Sequence, residues 1–362
     1  MTINRGVKFV QKLRVAVIGC GSIAKNRHLG EYNNNPAVEI VAVCDIVEER
    51  AVKIAVQYEA KAYTSFEELL EAEEIDAVSV CLPNYLHAPV SIAALNAGCH
   101  VLCEKPMATS REEAEAMIQA AKTNDKKLMI AHNQRFVPSH AKARDLIASG
   151  EIGKIYSFRT AFGHGGPEQW SADGKDSWFF KKDQAFIGAM GDLGVHKADL
   201  LRYLLGEEFV EVAGFIETNA KEGTDVDDNA VCILKSESGI IGTLSASWAY
   251  TAKEDNSTII YGEKAILRIE DDPKYSLIIQ YKNGEVVNYE LGGIQSNAEG
   301  GQTTTHTINH FVDAIVQDTE PIINGEEGMK SLEVILAALE SMETKQFSQI
   351  KKLKSPPFTP IN

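Results

Sequence analysis

No uninterrupted apolar run in this chain reaches the ~18 residues of a membrane span, so an integral membrane protein is not expected. Basic residues are scarce. Lys and Arg number 36 against 51 Asp and Glu, a net charge of −15, and so acidic a surface repels phosphate backbones and anionic lipid. Nucleic acid and membrane are therefore not expected partners. The six cysteines (Cys20, Cys44, Cys81, Cys99, Cys103 and Cys232) form no CxxC, and five lie in or beside apolar runs of the first 103 residues. Small buried thiols in a reducing, cytoplasmic compartment fit that pattern better than disulfides or zinc. His306 and His310 are spaced i, i+4, but no HExxH accompanies them, and no metal is expected. Met1–Leu13 interleaves Arg5, Lys8 and Lys12 with apolar residues and lacks a continuous apolar stretch, so a secretory signal is not expected. Internal repeats and low-complexity segments are absent as well.

What is present is the composition of a soluble globular protein: 362 residues, 44% apolar and 24% charged. That length is too great for one ordinary core and points to two domains. Between residues 13 and 132, short apolar runs (Leu13–Gly19, Val38–Asp45, Ala77–Leu82, His100–Cys103, Leu128–Ala131) alternate with helical patterns (Ile23–Asn33, Glu48–Tyr58, Phe66–Ala72, Ala88–Ala97, Arg111–Lys122). Strands that read apolar throughout are buried on both faces, so the expectation is βαβ units around a parallel sheet. After about residue 150 the pattern changes. Lys154–Phe162 alternates, a loop rich in Gly, Asp and Trp follows (Gly163–Lys182), then a helical run at Val195–Leu205. Strand-like runs come next at Val210–Ile216, Ala230–Lys235, Ile240–Ser247, Thr258–Tyr261, Ala265–Ile269 and Leu277–Tyr281, with Asn283-Gly284 as a hairpin turn. Two helices close the chain, about Thr305–Gln317 and Glu326–Lys345. The expected fold class is α/β: a dinucleotide-binding domain over 1–132, an α+β domain with a largely antiparallel open sheet over 133–350, and a loose tail over 351–362. The closing helices are expected to pack back on the first domain.

Three motifs carry chemistry. Gly19-Cys20-Gly21-Ser22-Ile23-Ala24 is a GxGxxA run after a strand and before a helix. Gly19 allows the tight turn, Gly21 lets backbone approach a pyrophosphate, and Ala24 lets helix and strand pack closely. Asp45, 24 residues after Gly21, ends the next strand; a carboxylate there takes both ribose hydroxyls and repels a 2′-phosphate, so NAD is expected over NADP. The second motif is Glu104-Lys105-Pro106, where Lys105 emerges at the carboxyl end of a strand, the side on which doubly wound sheets bind ligands. A donor to a substrate hydroxyl and a surface lysine in a turn are both open readings. Leu82-Pro83-Asn84 also follows a strand and is placed to line the same crevice. The third is Gly191-Asp192-Leu193-Gly194-Val195-His196-Lys197-Ala198-Asp199. With a helix starting near Leu193, Asp192, His196 and Asp199 share one side, and His196 meets the positive end of the dipole, which favours the neutral imidazole of a base. An N-capping Asp192 with a packed His196 is the alternative.

Together GCGSIA, Asp45, LPNYLH, AGCHVLCEKP and GDLGVHKAD resemble the Gfo/Idh/MocA family over about residues 13–345. The resemblance implies a Rossmann domain, a second domain whose open sheet makes a homodimer or homotetramer interface, and sugar or polyol substrates. It implies Lys105 as the active-site lysine, Asp192 and His196 as the Asp/His pair, and Asp199 as the acid behind that histidine. Gly19, Gly21, Ser22, Ile23 and Asp45 match the dinucleotide site. Pro83, Asn84 and His87 match the loop beside the nicotinamide ribose, with Glu104 and Lys105 next to it. Asn133, Gln134, Arg135 and Phe136 match a segment near the substrate, and Asn133 and Arg135 become candidate substrate ligands. The stretch Phe162-Gly163-His164-Gly165-Gly166-Pro167, with Trp170 and Trp178, departs from inositol dehydrogenases. Its His164 and Trp178 suit a sugar face, or else simple packing under a long loop. The function implied is NAD-dependent hydride transfer to and from a secondary alcohol. An NAD-assisted glycosidase and a non-catalytic ligand sensor are the alternatives, separated by net NADH production.

Overall fold

In the computed structural model, residues 12–294 and 305–353 are described; the readings made on residues 1–11 and on the tail beyond 353 lie outside them. The first six strands are β1 (Leu13–Ile18), β2 (Val38–Cys44), β3 (Lys61–Tyr63), β4 (Ala77–Val80), β5 (His100–Cys103) and β6 (Leu128–Ile130). They form one parallel sheet in the order β3-β2-β1-β4-β5-β6, the dinucleotide-binding order. The helices between them are α1 (Leu29–Asn34), α2 (Glu48–Tyr58), α3 (Phe66–Ala72), α4 (His87–Asn96) and α5 (Arg111–Thr123). The apolar runs form the core: Val15 to Ile18, Val78 and Val101 to Cys103 are buried, as a sheet covered on both faces requires. β3 was not anticipated, because its three residues Lys61-Ala62-Tyr63 sit at an exposed edge and show no apolar run.

The second unit starts with α6 (Pro138–Ala148), which also escaped the sequence reading; its Pro at the first turn suits a helix start, but its apolar face is weakly marked. Then come β7 (Ile155–Gly163), the short α7 (Lys182–Ala185), α8 (Val195–Leu205) and β8 (Phe209–Glu217). The strands continue with β9 (Asn229–Ser236), β10 (Ile241–Ser247), β11 (Thr258–Gly262), β12 (Ala265–Ile269), β13 (Leu277–Tyr281) and β14 (Val286–Tyr289). Helices α9 (Thr307–Val316) and α10 (Gly325–Thr344) precede a final β15 (Ser348–Gln349). The nine strands order as β14-β13-β12-β11-β7-β10-β9-β8-β15, and only β7 and β10 pair in parallel. Asn283-Gly284 makes the expected hairpin: Gly284 has φ +91°, the left-handed region open to glycine.

The closing helices join the two units. Ile308, Phe311 and Val312 of α9 and Met329 and Leu332 of α10 pack into the first core, while Val334, Ile335 and Ala338 pack into the second. One face of the large sheet carries α8 and α10. On the other, Phe215, Val231, Ile233 and Ile241 of neighbouring strands stand 71%, 50%, 47% and 58% exposed, an apolar face with no covering element among the described residues. All six cysteines are free and buried. No helix among the described residues is long and apolar enough to cross a membrane.

Candidate active site

β1 ends at Ile18, and Gly19 turns the chain at φ +96°, where a Cβ would meet Cys81 O at 2.2 Å. Only glycine fits that approach of loop to β4. A Cβ on Gly21 would meet nothing within 4 Å, and Gly21 lines a cavity of about 440 Å³ at the carboxyl ends of the strands. Bare backbone facing an open crevice is what a pyrophosphate needs. Ser22 and Ile23 line the same cavity, and the chain then enters a π-helical turn, Ala24–His28. Asp45 reaches the cavity from the end of β2, its Oδ2 accepting from Cys20 N and its Oδ1 from Val47 N, both at 2.9 Å.

Deeper in, Lys105 Nζ donates to Asp192 Oδ1 at 2.8 Å and to Asp192 O at 2.9 Å. Trp248 Nε1 donates to the other carboxylate oxygen at 3.2 Å. His196 lies beside this pair and lines the cavity. Burial first, then the neighbouring Lys105, His132, Arg27 and Lys197, hold its imidazole well below the ordinary histidine value. Helix α8 begins at Val195, where the helical run was expected. A π-helical turn, Met190–Gly194, runs directly into α8, and Asp227 rather than Asp192 caps it, accepting from Gly188 N at 2.7 Å and Met190 N at 2.8 Å. That turn precedes His196 in the helix, and burial is the first cause of its low basicity.

Two expectations are corrected. Asp199 does not stand behind His196. It forms a buried bidentate pair with Arg135 (2.8 and 2.7 Å) and accepts from Ser331 Oγ at 2.9 Å. Arg135 accordingly is not at the substrate: its guanidinium is spent on Asp199 and, at 3.0 Å, on Glu327 of α10, and it does not line the cavity. The pairing joins the end of the first unit to α8 and α10. No acceptor for His196 Nδ1 occurs among the described residues.

Most of the other expected residues converge. Pro83, Asn84, His87, Glu104, Asn133 and His164 all line the cavity, as do Trp170 and Trp178. Asn84 Nδ2 donates to Ala185 O at 2.8 Å. His87 bridges two loops, with Pro106 O at 2.7 Å from Nδ1 and Leu82 O at 2.8 Å from Nε2. His164 Nδ1 accepts from Gly166 N at 3.0 Å, and Trp178 stacks on Phe179 with ring centroids 3.9 Å apart. One buried partner of the site residues was missed. His28 Nε2 lies 2.9 Å from Glu104 Oε1, and its Nδ1 contacts Ser79 Oγ at 3.0 Å, which Tyr32 also holds. Burial opposes the charge on Glu104, but the His28 hydrogen bond, with Lys105 and Arg27 nearby, holds its carboxyl at about 2. The only signal for His28 was its place four residues beyond Ala24. Among the described residues no group of three or more His, Cys, Asp or Glu is placed to hold a metal ion.

Residues 13–132 match the family model described as "Oxidoreductase family, NAD-binding Rossmann fold", and residues 140–268 match "GFO/IDH/MocA C-terminal domain". The chain belongs to the GFO/IDH/MocA oxidoreductase family. Among curated members of the family, a levoglucosan dehydrogenase of Pseudarthrobacter phenanthrenivorans is 32% identical over 81% of this chain and 80% of its own. A D-glucoside 3-dehydrogenase of Escherichia coli is 28% identical over 92% of this chain and 96% of its own. A solved levoglucosan dehydrogenase in complex with NADH superposes with a TM-score of 0.82 at 25% identity, covering 95% of this chain and all (100%) of the other.

Proposed function

We propose that this chain oxidises a secondary alcohol of a sugar or cyclic polyol with NAD, using His196 as base and Lys105 as the donor to the reacting oxygen. One observation carries the reading: the Lys105–Asp192 contact of 2.8 Å, with His196 beside it, closes one part of the cavity that elsewhere presents Gly21 and Asp45. The residues fit a nicotinamide dinucleotide, since Gly21 leaves backbone bare to the crevice beside the Gly19 turn and Asp45 offers its carboxylate to a ribose. When bound, NAD supplies the hydride acceptor.

The protein supplies position and charge. His196, neutral because it is buried among cations, takes the proton of the substrate hydroxyl. Lys105 Nζ hydrogen-bonds that oxygen and stabilises the negative charge that develops on it. Asp192, fixed by Trp248, holds the ammonium in place. Trp170, Trp178 and Phe179 give an aromatic wall suited to the C–H face of a sugar ring. The dehydrogenase names of the relatives support a carbohydrate substrate. Asp45 favours NAD over NADP, and the open apolar sheet face suits a second copy of the chain in a homodimer or homotetramer. Buried free thiols suit the cytoplasm.

The test is a panel of sugars, anhydrosugars, glucosides and inositols incubated with NAD. NADH absorbance should rise with at least one of them. Consumption of a carbohydrate with no net NADH at any enzyme concentration would overturn a simple dehydrogenase.

A further inference from the structure

The segment between β7 and α7 lines part of the cavity with Trp170, Asp173, Trp178 and Phe179. Its base is tied to the second unit. Lys221 pairs with Glu168 and donates to Gly165 O at 2.5 Å, and the Thr224 hydroxyl donates to Phe180 O at 2.9 Å. Its tip lies on the first unit. Ser22 Oγ donates to Trp170 O at 2.8 Å, across 148 residues of sequence. Arg50 Nη2 donates to Asp173 Oδ1 at 2.8 Å, while Arg50 Nη1 stands 3.7 Å from Asp45 Oδ2. Arg50, Asp45 and Asp173 all line the cavity. An arginine in the first turn of α2 is thus held between two carboxylates, one from each half of the molecule.

We infer that Asp173 is a second determinant of nucleotide specificity, which occupies Arg50 and adds a carboxylate where a 2′-phosphate would lie. The inference rests on the reading of this cavity as an NAD site. A ribose diol is matched by a carboxylate, and a 2′-phosphate by an arginine fork. Arg50 has the right chemistry and place for the phosphate, but it is engaged. Asp45 holds it loosely, because both Asp45 oxygens already accept backbone N–H groups. Asp173 holds it closely. Removing the Asp45 charge alone therefore leaves Arg50 paired and one carboxylate facing the phosphate. Neutralising both acids frees the guanidinium.

Direct titration with NADH and with NADPH, followed by calorimetry without substrate, reads this. The variants are Asp45→Asn, Asp173→Asn, the double variant, and each Asp173→Asn background with Arg50→Leu added; melting curves check folding. Wild type binds NADH at least about tenfold more tightly than NADPH, one carboxylate–phosphate repulsion being worth that much. Asp173→Asn tightens NADPH by about three- to tenfold, the scale of a partly exposed charge pair, and leaves NADH within about twofold. Asp45→Asn weakens NADH without making NADPH the tighter ligand. The double variant binds NADPH more tightly than NADH, and Arg50→Leu cancels the gain. Should Asp45→Asn fail to fold, Asp173→Asn with and without Arg50→Leu decides the matter alone. The inference falls if Asp173→Asn leaves NADPH affinity unchanged, or if its gain survives Arg50→Leu. Equal affinity of wild type for the two nucleotides instead overturns the NAD reading, and that result is in hand before any variant is made.

Discussion

Lys105 and Asp192, 87 residues apart, meet at 2.8 Å across the boundary between the parallel sheet and the second unit. Lys105 follows β5, and Asp192 lies in the π-helical turn before α8. The contact is 13% and 8% exposed on its two sides, so water screens it little. It also spends a second Lys105 proton on Asp192 O at 2.9 Å, which fixes the ammonium in direction as well as place.

That geometry predicts different signatures for the two residues. Asp192→Asn keeps the shape and removes the charge that aims Lys105, and kcat should fall by roughly 10²-fold, the scale of a lost oxyanion donor. Lys105→Ala should lower kcat and weaken nucleotide and substrate binding together, because Lys105 sits where both lie. The double variant should lose less than the product of the two singles, since Asp192 acts through the Lys105 ammonium. Multiplicative losses in steady-state kinetics would refute the shared role.

A third expectation concerns assembly. Phe215, Val231, Ile233 and Ile241 form one open apolar sheet face. Burying such a face stabilises association by about 25 cal/mol for each Å² removed from water. Light scattering should show a dimer or tetramer, and Phe215→Asp with Val231→Lys should give a folded monomer. A wild-type monomer at micromolar concentration would remove the interface.

Much of this architecture could be read in advance, and the failures have physical causes. β1, β4 and β5 are buried on both faces, so their apolar runs admit few other readings, and the glycine loop and Asp45 sit at fixed places relative to them. α6 was missed because its apolar stripe is narrow, and β3 because an exposed edge strand needs no apolar pattern. Asp199 was misplaced for a different reason. Helical spacing sets which side of α8 it occupies, but its partner is decided by Arg135 and Ser331, 64 and 132 residues away. The Ser22–Trp170 and Arg50–Asp173 contacts are likewise products of tertiary packing, with nothing local to announce them.

Loss of stability in acid follows from the buried imidazoles, of which His132 and His140 are two. Burial holds His132 at about 4 and His140 at about 3. Both folded values lie below the ~6.5 of an unfolded histidine, so between them the unfolded chain binds a proton that the folded chain refuses. Stability is therefore full above about pH 6.5 and falls as pH drops toward 4. Glu104 and Glu327, both held at about 2, add their own loss only lower, as pH falls from the ordinary carboxylate range toward that value. Melting temperature should decline already between about pH 6.5 and 5, before most carboxylates titrate. A flat profile there would contradict the neutral, buried state of both rings.

The base makes the sharpest forecast. Because burial, with Lys105 and Arg27 nearby, holds His196 well below the ordinary histidine value, kcat/KM for oxidation should not show a histidine-like loss as pH falls from about 8 to 6.5. Proton removal by a positioned side chain is worth ~10²–10⁴-fold in rate, so His196→Ala should lower kcat by about that factor. NADH affinity should stay nearly unchanged, because His196 belongs to α8 and not to the glycine loop or the Asp45 strand end. A packing role predicts the reverse: a lower melting temperature, with kcat spared in whatever protein stays folded. His196→Gln keeps most of the volume and a hydrogen-bonding end while losing the base, so it separates the two where the alanine variant unfolds. Turnover, NADH dissociation constant and melting temperature measured on one preparation of each variant decide the matter. Near wild-type turnover from a folded His196→Gln enzyme would end the assignment.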